Sequence, residues 1–132
     1  MKRIGFIGLG NMGSKMVKNL LQANYQVVGY DVNEKLVDEI IPNGIHKASS
    51  LNEIIDDVDV IITMLPNGEI VKKVFENIIS KLKPDTLLTD CSTIDVQTAK
   101  DLHKMCSEKS LLSLDAPVSG GVVGAENGTL TF

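Results

Sequence analysis

The sequence has very few of the residues that build metal centres and disulfide-bonded proteins. Its 132 residues include only two cysteines, Cys91 and Cys106, and two histidines, His46 and His103. Two widely separated cysteines cannot form a zinc knuckle or a disulfide framework, and they fit a reducing compartment. A metal site needs several converging ligands, so no metal is expected, and both histidines are expected on the surface.

Positive charge and long apolar runs are also scarce. The chain has 13 Lys and Arg residues against 17 Asp and Glu residues, and Arg3 is its only arginine. Without a basic cluster to follow a phosphate backbone, nucleic acid is not an expected partner. No apolar run approaches the roughly 18 residues that a membrane span needs, and no signal peptide precedes the first apolar stretch. We therefore expect no membrane contact and a cytoplasmic protein, or a mitochondrial one if a transit peptide has been trimmed.

Short β-branched runs alternate along the chain with longer amphipathic runs. This alternation predicts an α/β domain with a doubly wound parallel sheet and helices on both faces. Six strands are predicted, at residues 3–7, 26–30, 44–46, 58–64, 86–90 and 111–115. Helices are predicted at residues 12–23, 34–40, 51–56, 69–80 and 96–108. Residues 115–128 contain four glycines and a proline, so a long loop is predicted there.

A glycine motif joins the first predicted strand to the first predicted helix. Gly8, Gly10 and Gly13 have the GxGxxG spacing of the Rossmann-type dinucleotide-binding turn. Gly8 would permit the tight turn, Gly10 would let the backbone approach a pyrophosphate, and Gly13 would let the helix pack close to the strand. The alternative is a plain glycine-rich turn, but the strand and helix lie on the sides that the motif requires.

Asp31 follows the second predicted strand, where an acidic residue can accept hydrogen bonds from the adenosine ribose. Its alternative role is to cap the next helix. A carboxylate here would repel the 2′-phosphate of NADP, whose enzymes commonly supply an arginine nearby. Arg3 begins the first strand, at the opposite end, which leaves Lys35 as the only nearby cation. The sequence therefore predicts NAD as the cofactor.

The ends of the fourth, fifth and sixth strands should meet the same crevice, because ligands of open parallel sheets lie outside the carboxyl ends of the strands. Met64, Leu65 and Pro66 end the fourth strand, where the proline suits a wall against a ribose or simply terminates the strand. Thr93 follows the fifth strand, and its hydroxyl could face a ligand or cap the next helix.

Ser119, Gly120 and Gly121 follow the sixth predicted strand. One hydroxyl beside two glycine amides without side chains is a suitable receptor for a substrate carboxylate. A flexible turn is the alternative.

Four segments of the sequence together resemble the β-hydroxyacid dehydrogenase family. They are GFIGLGNMG at residues 5–13, ITMLP at 62–66, STID at 92–95 and DAPVSGG at 115–121, and GAENGTLTF at 124–132 continues the likeness to the end of the chain. The resemblance implies transfer of hydride from the alcohol of a hydroxy acid to NAD. The members most alike act on 3-hydroxyisobutyrate and give methylmalonate semialdehyde, a step of valine catabolism.

The resemblance also implies roles for individual residues. Cofactor contacts are implied for Gly8, Leu9, Gly10, Asn11, Met12, Gly13, Asp31, Met64, Leu65, Pro66 and Thr93, and substrate contacts for Ser119, Gly120 and Gly121. The family's catalytic lysine lies on a long helix beyond Phe132, in a second, helical domain that also forms subunit contacts. Residues 1–132 would thus be the dinucleotide-binding domain of a homo-oligomeric enzyme, and this chain alone should bind NAD without turnover.

Two positions depart from the family pattern. Cys91 stands where serine is frequent, and Ile70 stands where an asparagine follows the Leu-Pro pair, so cofactor contacts by these two side chains are not expected. Two other functions fit the same motifs. One is a tartronate semialdehyde reductase or another β-hydroxyacid dehydrogenase, and the other is a nucleotide-binding module without catalysis.

Overall fold

Six parallel strands form one sheet in a computed structural model that describes residues 2–132. The strands are β1 (Arg3–Ile7), β2 (Gln26–Tyr30), β3 (His46–Lys47), β4 (Val60–Thr63), β5 (Leu87–Asp90) and β6 (Leu112–Asp115). Their order across the sheet is β3-β2-β1-β4-β5-β6. The predicted Rossmann-type, doubly wound α/β sheet is confirmed.

Within residues 2–132, six α-helices cover the two faces of the sheet. They are α1 (Gly13–Gln22), α2 (Glu34–Asp38), α3 (Leu51–Ile54), α4 (Gly68–Ile78), α5 (Val96–Ser107) and α6 (Gly121–Asn127). Two separate apolar clusters show how the helices are divided between the faces. One cluster takes Val17 from α1 and Ala125 from α6, and the other takes Ile54 from α3, Phe75 from α4 and Leu102 from α5. Each helix buries one apolar stripe against the sheet, which favours its folding.

The strand order reverses at β1, which creates the crevice that such sheets use for ligands. β1 pairs with β2 on one side and with β4 on the other, so Ile7 lies beside both Tyr30 and Thr63. Strand β1 is central and almost wholly buried, which explains why its sequence is a continuous apolar run. The loops that follow β1, β2 and β4 therefore lie next to one another.

All the predicted strands and helices are present, with ends that shift by at most two residues. Short 3-10 turns at Ile41–Asn43 and Ile79–Lys81, which periodicity did not predict, shorten the second and fourth predicted helices. Side-chain caps fix four helix starts: Asn33 caps α2, Ser50 caps α3, Asn67 caps α4 and Asp95 caps α5.

The prediction of one long loop over residues 115–128 is wrong, because Gly121–Asn127 is a helix. Glycines in the sequence disfavour a helix there. Tertiary packing overrides this preference: Ala125 is buried, and a Cβ built on Gly124 would lie 3.1 Å from a methyl carbon of Leu130. Beyond the helix, Thr131 pairs with Ser119 through two backbone hydrogen bonds of 2.9 Å. The glycines thus allow close packing in a folded segment.

Candidate nucleotide-binding site

The turn after β1 has the tight geometry that the glycine motif predicts. Gly8 adopts φ 98°, a conformation that favours glycine, and its amide donates to the carbonyl oxygen of Tyr30 at 3.0 Å. A Cβ at Gly8 would overlap the carbonyl oxygen of Met64, and one at Gly13 would overlap that of Gly8. Gly10 instead faces open space, with nothing within 4 Å of an added Cβ. Two of the three glycines are thus required by packing, and the third leaves an opening above the turn.

Helix α1 begins at this opening without a capping side chain. Within the described part of the chain, the amides of Gly10, Asn11, Met12 and Gly13 donate to no protein acceptor. Unpaired amides at the start of a helix and the positive end of its dipole both favour an anion. The turn can therefore receive a phosphate group.

Asp31 is tied to the glycine turn by its side chain. Its Oδ2 accepts from the amide of Leu9 at 2.8 Å, and its Oδ1 accepts from the amide of Asn33 at 2.8 Å. Asn33 caps α2 by accepting from the amide of Lys35, so the capping alternative for Asp31 is wrong. An ionised carboxylate has about four acceptor sites, which leaves capacity for two ribose hydroxyls. Leu9 contributes only its backbone here, because its side chain is fully buried in the core.

A cleft of about 490 Å³ joins these groups to the loop after β4. Its polar side is formed by Gly8, Gly10, Asn11, Met12, Gly13 and Asp31. Its apolar lining is formed by Leu36, Leu51, Leu65, Pro66, Ile70 and Val74. An apolar slot beside a carboxylate and a phosphate-binding turn suits a flat base carried on a ribose phosphate.

The loop after β4 is tied to the end of β5 by a buried network that the sequence patterns did not predict. Asp90 Oδ1 accepts from the hydroxyls of Thr63 at 2.7 Å and Ser92 at 2.6 Å, and Ser92 Oγ accepts from the amide of Leu65 at 2.9 Å. Burial raises the pKa of the Asp90 carboxyl, although the hydrogen bonds from Ser92 and Thr63 oppose this shift. An acidic residue at the end of a buried strand, with a serine two residues later, was the available signal.

Thr93 does not line this cleft, although the family resemblance implies a cofactor contact for it. Its side chain is exposed, and it is not the helix cap, because Asp95 accepts from the amide of Thr98 at 2.9 Å. Next to it, burial raises the pKa of the Cys91 thiol to about 11, so the thiol stays protonated and packs as a small apolar group.

Ser119, Gly120 and Gly121 lie beyond β6, outside the cleft beside Asp31. The backbone turns sharply here, with φ 132° at Gly120 and 63° at Gly121. Ser119 is exposed, and its amide and carbonyl both pair with Thr131. The structure thus orders this segment but leaves its surface open.

Both histidines are exposed as predicted. Across residues 2–132, no three His, Cys, Asp or Glu side chains are placed to hold a metal ion. No helix in the same range is long and apolar enough to cross a bilayer.

Residues 3–132 match a family model described as the NAD binding domain of 6-phosphogluconate dehydrogenase. The chain is 41% identical over 132 residues to a probable 3-hydroxyisobutyrate dehydrogenase of Mycobacterium tuberculosis, covering 100% of this chain and 45% of the relative. It is 41% identical over 135 residues to an NAD-dependent L-serine dehydrogenase of Pseudomonas aeruginosa, with the same coverage of 100% and 45%. The chain therefore spans about half the length of these relatives.

A solved structure has the same fold. The 3-hydroxyisobutyrate dehydrogenase of Mycobacterium tuberculosis with L-serine matches with a TM-score of 0.96 and 41% identity, over 98% of this chain and 45% of that chain. At this level of similarity the fold is shared.

Proposed function

The chain belongs to the family of the NAD-binding domain of 6-phosphogluconate dehydrogenase, and we propose that it binds NAD for a dehydrogenase that oxidises 3-hydroxyisobutyrate to methylmalonate semialdehyde. The observation that carries the proposal is the cleft itself, where unpaired amides at the start of α1 lie beside the carboxylate of Asp31. The amides of Gly10, Asn11 and Met12 would hold the pyrophosphate, and Asp31 would accept from the ribose hydroxyls.

NAD is favoured over NADP by the charges around the cleft. Asp31 is fixed by the amides of Leu9 and Asn33, so it cannot easily turn away from a 2′-phosphate. Arg3 begins β1 at the far end of the sheet, and Lys35 is an exposed side chain on α2. Parallel titrations of the purified chain with NADH and NADPH test this preference. Tighter binding of NADPH would refute it.

The substrate carboxylate would bind at Ser119, Gly120 and Gly121. Support comes from the sheet: β5 and β6 run parallel to β1, so their carboxyl ends open on the same edge as the glycine turn. Thr93 follows β5, between the glycine turn and the segment at Ser119, and would approach the nicotinamide half of the cofactor.

The base that removes the hydroxyl proton would come from outside these residues. No lysine is among the residues that line the described cleft. A positioned base contributes about two to four orders of magnitude in rate. We therefore expect the 132-residue chain to bind NADH and to show no useful oxidation of 3-hydroxyisobutyrate. Turnover by this chain, followed as NADH absorbance, would refute the assignment of the base.

L-serine is the second candidate substrate. The Pseudomonas aeruginosa relative is named for it, and the matched Mycobacterium tuberculosis structure is described with it. L-serine is also a β-hydroxyacid, so the same carboxylate receptor would serve both compounds. A longer protein that includes this domain should be assayed with 3-hydroxyisobutyrate, L-serine and tartronate semialdehyde. The substrate with the highest kcat/KM decides among them, and activity with none would favour a binding module without catalysis.

A further inference from the structure

Three buried polar side chains at the ends of β4 and β5 form a single hydrogen-bonded chain. Thr63 and Ser92 are fully buried and Asp90 is 3% exposed. Both hydroxyls donate to the same carboxylate oxygen, Asp90 Oδ1, and the Ser92 amide donates to it as well, at 3.2 Å. Because an ionised carboxylate only accepts, the hydroxyl proton of Ser92 is committed to Asp90. The lone pairs of Ser92 Oγ are thereby left for a donor on the other side.

That donor is the amide of Leu65, in the wall of the nucleotide cleft. The bond from Leu65 N to Ser92 Oγ is 2.9 Å long. The amide of Met64, one residue earlier, donates within the sheet to Ile7, and Pro66, one residue later, has no amide hydrogen. Leu65 is thus the last point at which the loop can be tied by its backbone amide to the sheet before the loop enters the cleft.

The position of this loop is also set by contact with the glycine turn. The carbonyl oxygen of Met64 lies so close to Gly8 that any side chain there would collide with it. A shift of the loop towards β1 would close the cleft, and a shift away would open it. Ser92 follows β5, on the side of β4 away from β1, so the hydrogen bond from Leu65 to Ser92 restrains the first movement.

The buried carboxylate of Asp90 is not explained by its packing. Asp90 Oδ2 is buried and has no hydrogen-bond partner among residues 2–132. A buried carboxylate with one unpaired oxygen costs free energy, whereas apolar side chains of similar volume would fill the same space without that cost. A role other than stability would account for such a group.

We propose that Asp90 and Ser92 are positioning residues that hold the Leu65–Pro66 wall at the separation from Gly8 and Asp31 that NAD requires. Asp90 orients the hydroxyl of Ser92, and Ser92 holds the Leu65 amide. Neither side chain touches the cofactor. This inference rests on the proposed function, because it assigns the network to the NAD cleft.

The decisive variant is Ser92→Ala, which removes the acceptor for Leu65 and leaves the backbone unchanged. NADH affinity should fall about fivefold to tenfold, the range expected for one net hydrogen bond. Amide hydrogen exchange of Leu65 should accelerate by a similar factor in the chain without cofactor. Asp90→Asn keeps an oxygen at the Oδ1 position, so its loss of affinity should be smaller than that of Ser92→Ala.

Thr86→Val is the matched control. Thr86 is a buried threonine directly before β5, at the end of the strand opposite to Asp90 and Ser92. It is 1% exposed, and its hydroxyl donates to the carbonyl oxygen of Lys83 at 2.8 Å. This variant should lose stability in urea as Ser92→Ala does, yet keep the NADH affinity and the Leu65 exchange rate of the parent. The NADH affinity of this variant, compared with its loss of stability, also shows how much affinity is lost by a general loosening of the fold.

The outcomes separate this inference from the proposed function. Parental NADH affinity in Ser92→Ala, or an equal loss in Thr86→Val, would overturn the positioning role and leave NAD binding intact. Failure of the unsubstituted chain to bind NADH would overturn the proposed function and the positioning role together. Should Ser92→Ala not fold, Thr63→Val removes one bond to Asp90, and parental affinity in that variant and in Asp90→Asn would also overturn the role.

Discussion

The carboxyl edge of the sheet has two halves that are built to different degrees. Beside β1, β2 and β4, the groups that would meet a nucleotide are fixed by one another: Asp31 accepts from Leu9, and Met64 packs on Gly8. Beside β5 and β6, Thr93 and Ser119 are exposed. In β6 itself, Leu112 and Leu114 are 55% and 53% exposed. The first half can therefore bind its ligand as it stands, whereas the second half offers groups without an enclosing pocket.

The largest expected effect tests how rigid the first half is. Gly13→Ala should lower the free energy of unfolding by about 1–3 kcal/mol and abolish measurable NADH binding, because the new methyl group overlaps the carbonyl oxygen of Gly8. Urea denaturation and NADH titration measure the two effects. The control is Gly10→Ala, where the methyl enters open space: stability should stay within about 0.5 kcal/mol of the parent while NADH binding weakens. Equal destabilisation by both substitutions would contradict the packing of the turn.

Charge in the first half gives the next effect. Asp31→Asn keeps an oxygen that can accept from Leu9 but removes the negative charge that faces the ribose. The ratio of NADPH to NADH dissociation constants should fall about tenfold, which corresponds to loss of one repulsion of about 1.4 kcal/mol. Titration with both nucleotides measures the ratio. Asp38→Asn, on the exposed surface of α2, is the control and should leave it unchanged. An unaltered ratio in Asp31→Asn would show that another group selects the cofactor.

The buried network of Asp90 lies between the two halves, and it should give the stability of the chain a characteristic dependence on pH. Burial raises the pKa of Asp90 in the folded chain, so the stability that its neutral form contributes is present below the pKa of the unfolded carboxyl, about 4, and is lost as pH rises through the folded value. Asparagine does not titrate. The free energy of unfolding of Asp90→Asn should therefore increase relative to the parent from pH 4 towards neutrality, measured by urea denaturation.

Other titratable groups lie near Asp90, so the pH effect needs a control. Asp115 on β6 and Lys100 and His103 on α5 line the same cavity as Asp90, and Cys91 is adjacent in sequence. Asp95 is the control, because its pKa is shifted in the opposite direction: hydrogen bonds from Thr98 lower the pKa of its carboxyl. Asp95→Asn should be less stable than the parent above about pH 4, and this difference should shrink as pH falls below that value. The same pH trend in both variants would contradict these assignments.

The smallest expected effect concerns the second half. Ser119→Ala should change the NADH affinity of this chain by less than about twofold, since the exposed hydroxyl lies outside the cleft and surface substitutions usually matter little. In a longer, active protein the same substitution should raise KM for the hydroxy acid. Weaker NADH binding by Ser119→Ala would mean that the two halves are already one site in this domain.

Local patterns were sufficient to predict the parts of the fold that depend on short-range preferences. The glycine spacing located the turn, and the alternation of strands and helices predicted the doubly wound sheet. The resemblance to hydroxyacid dehydrogenases is confirmed. Helix α6 was missed because its Gly124 is explained only by Leu130, which packs on it after the chain has folded back. The sequence could not decide whether Asp31 caps α2. The hydrogen bonds in the structure decide it, because Lys35 donates to Asn33 and Asp31 accepts from the amide of Asn33.

The amino-acid sequence by itself determined the fold class and the phosphate-binding turn, because both follow from residues that are close together in the chain. Only the tertiary structure decided which groups share the cleft and which polar side chains hold its wall. Thr63 and Asp90 are 27 residues apart, as are Leu65 and Ser92, and no local preference encodes those bonds. They exist because β4 and β5 pair in parallel, which brings the ends of two distant segments within hydrogen-bonding distance.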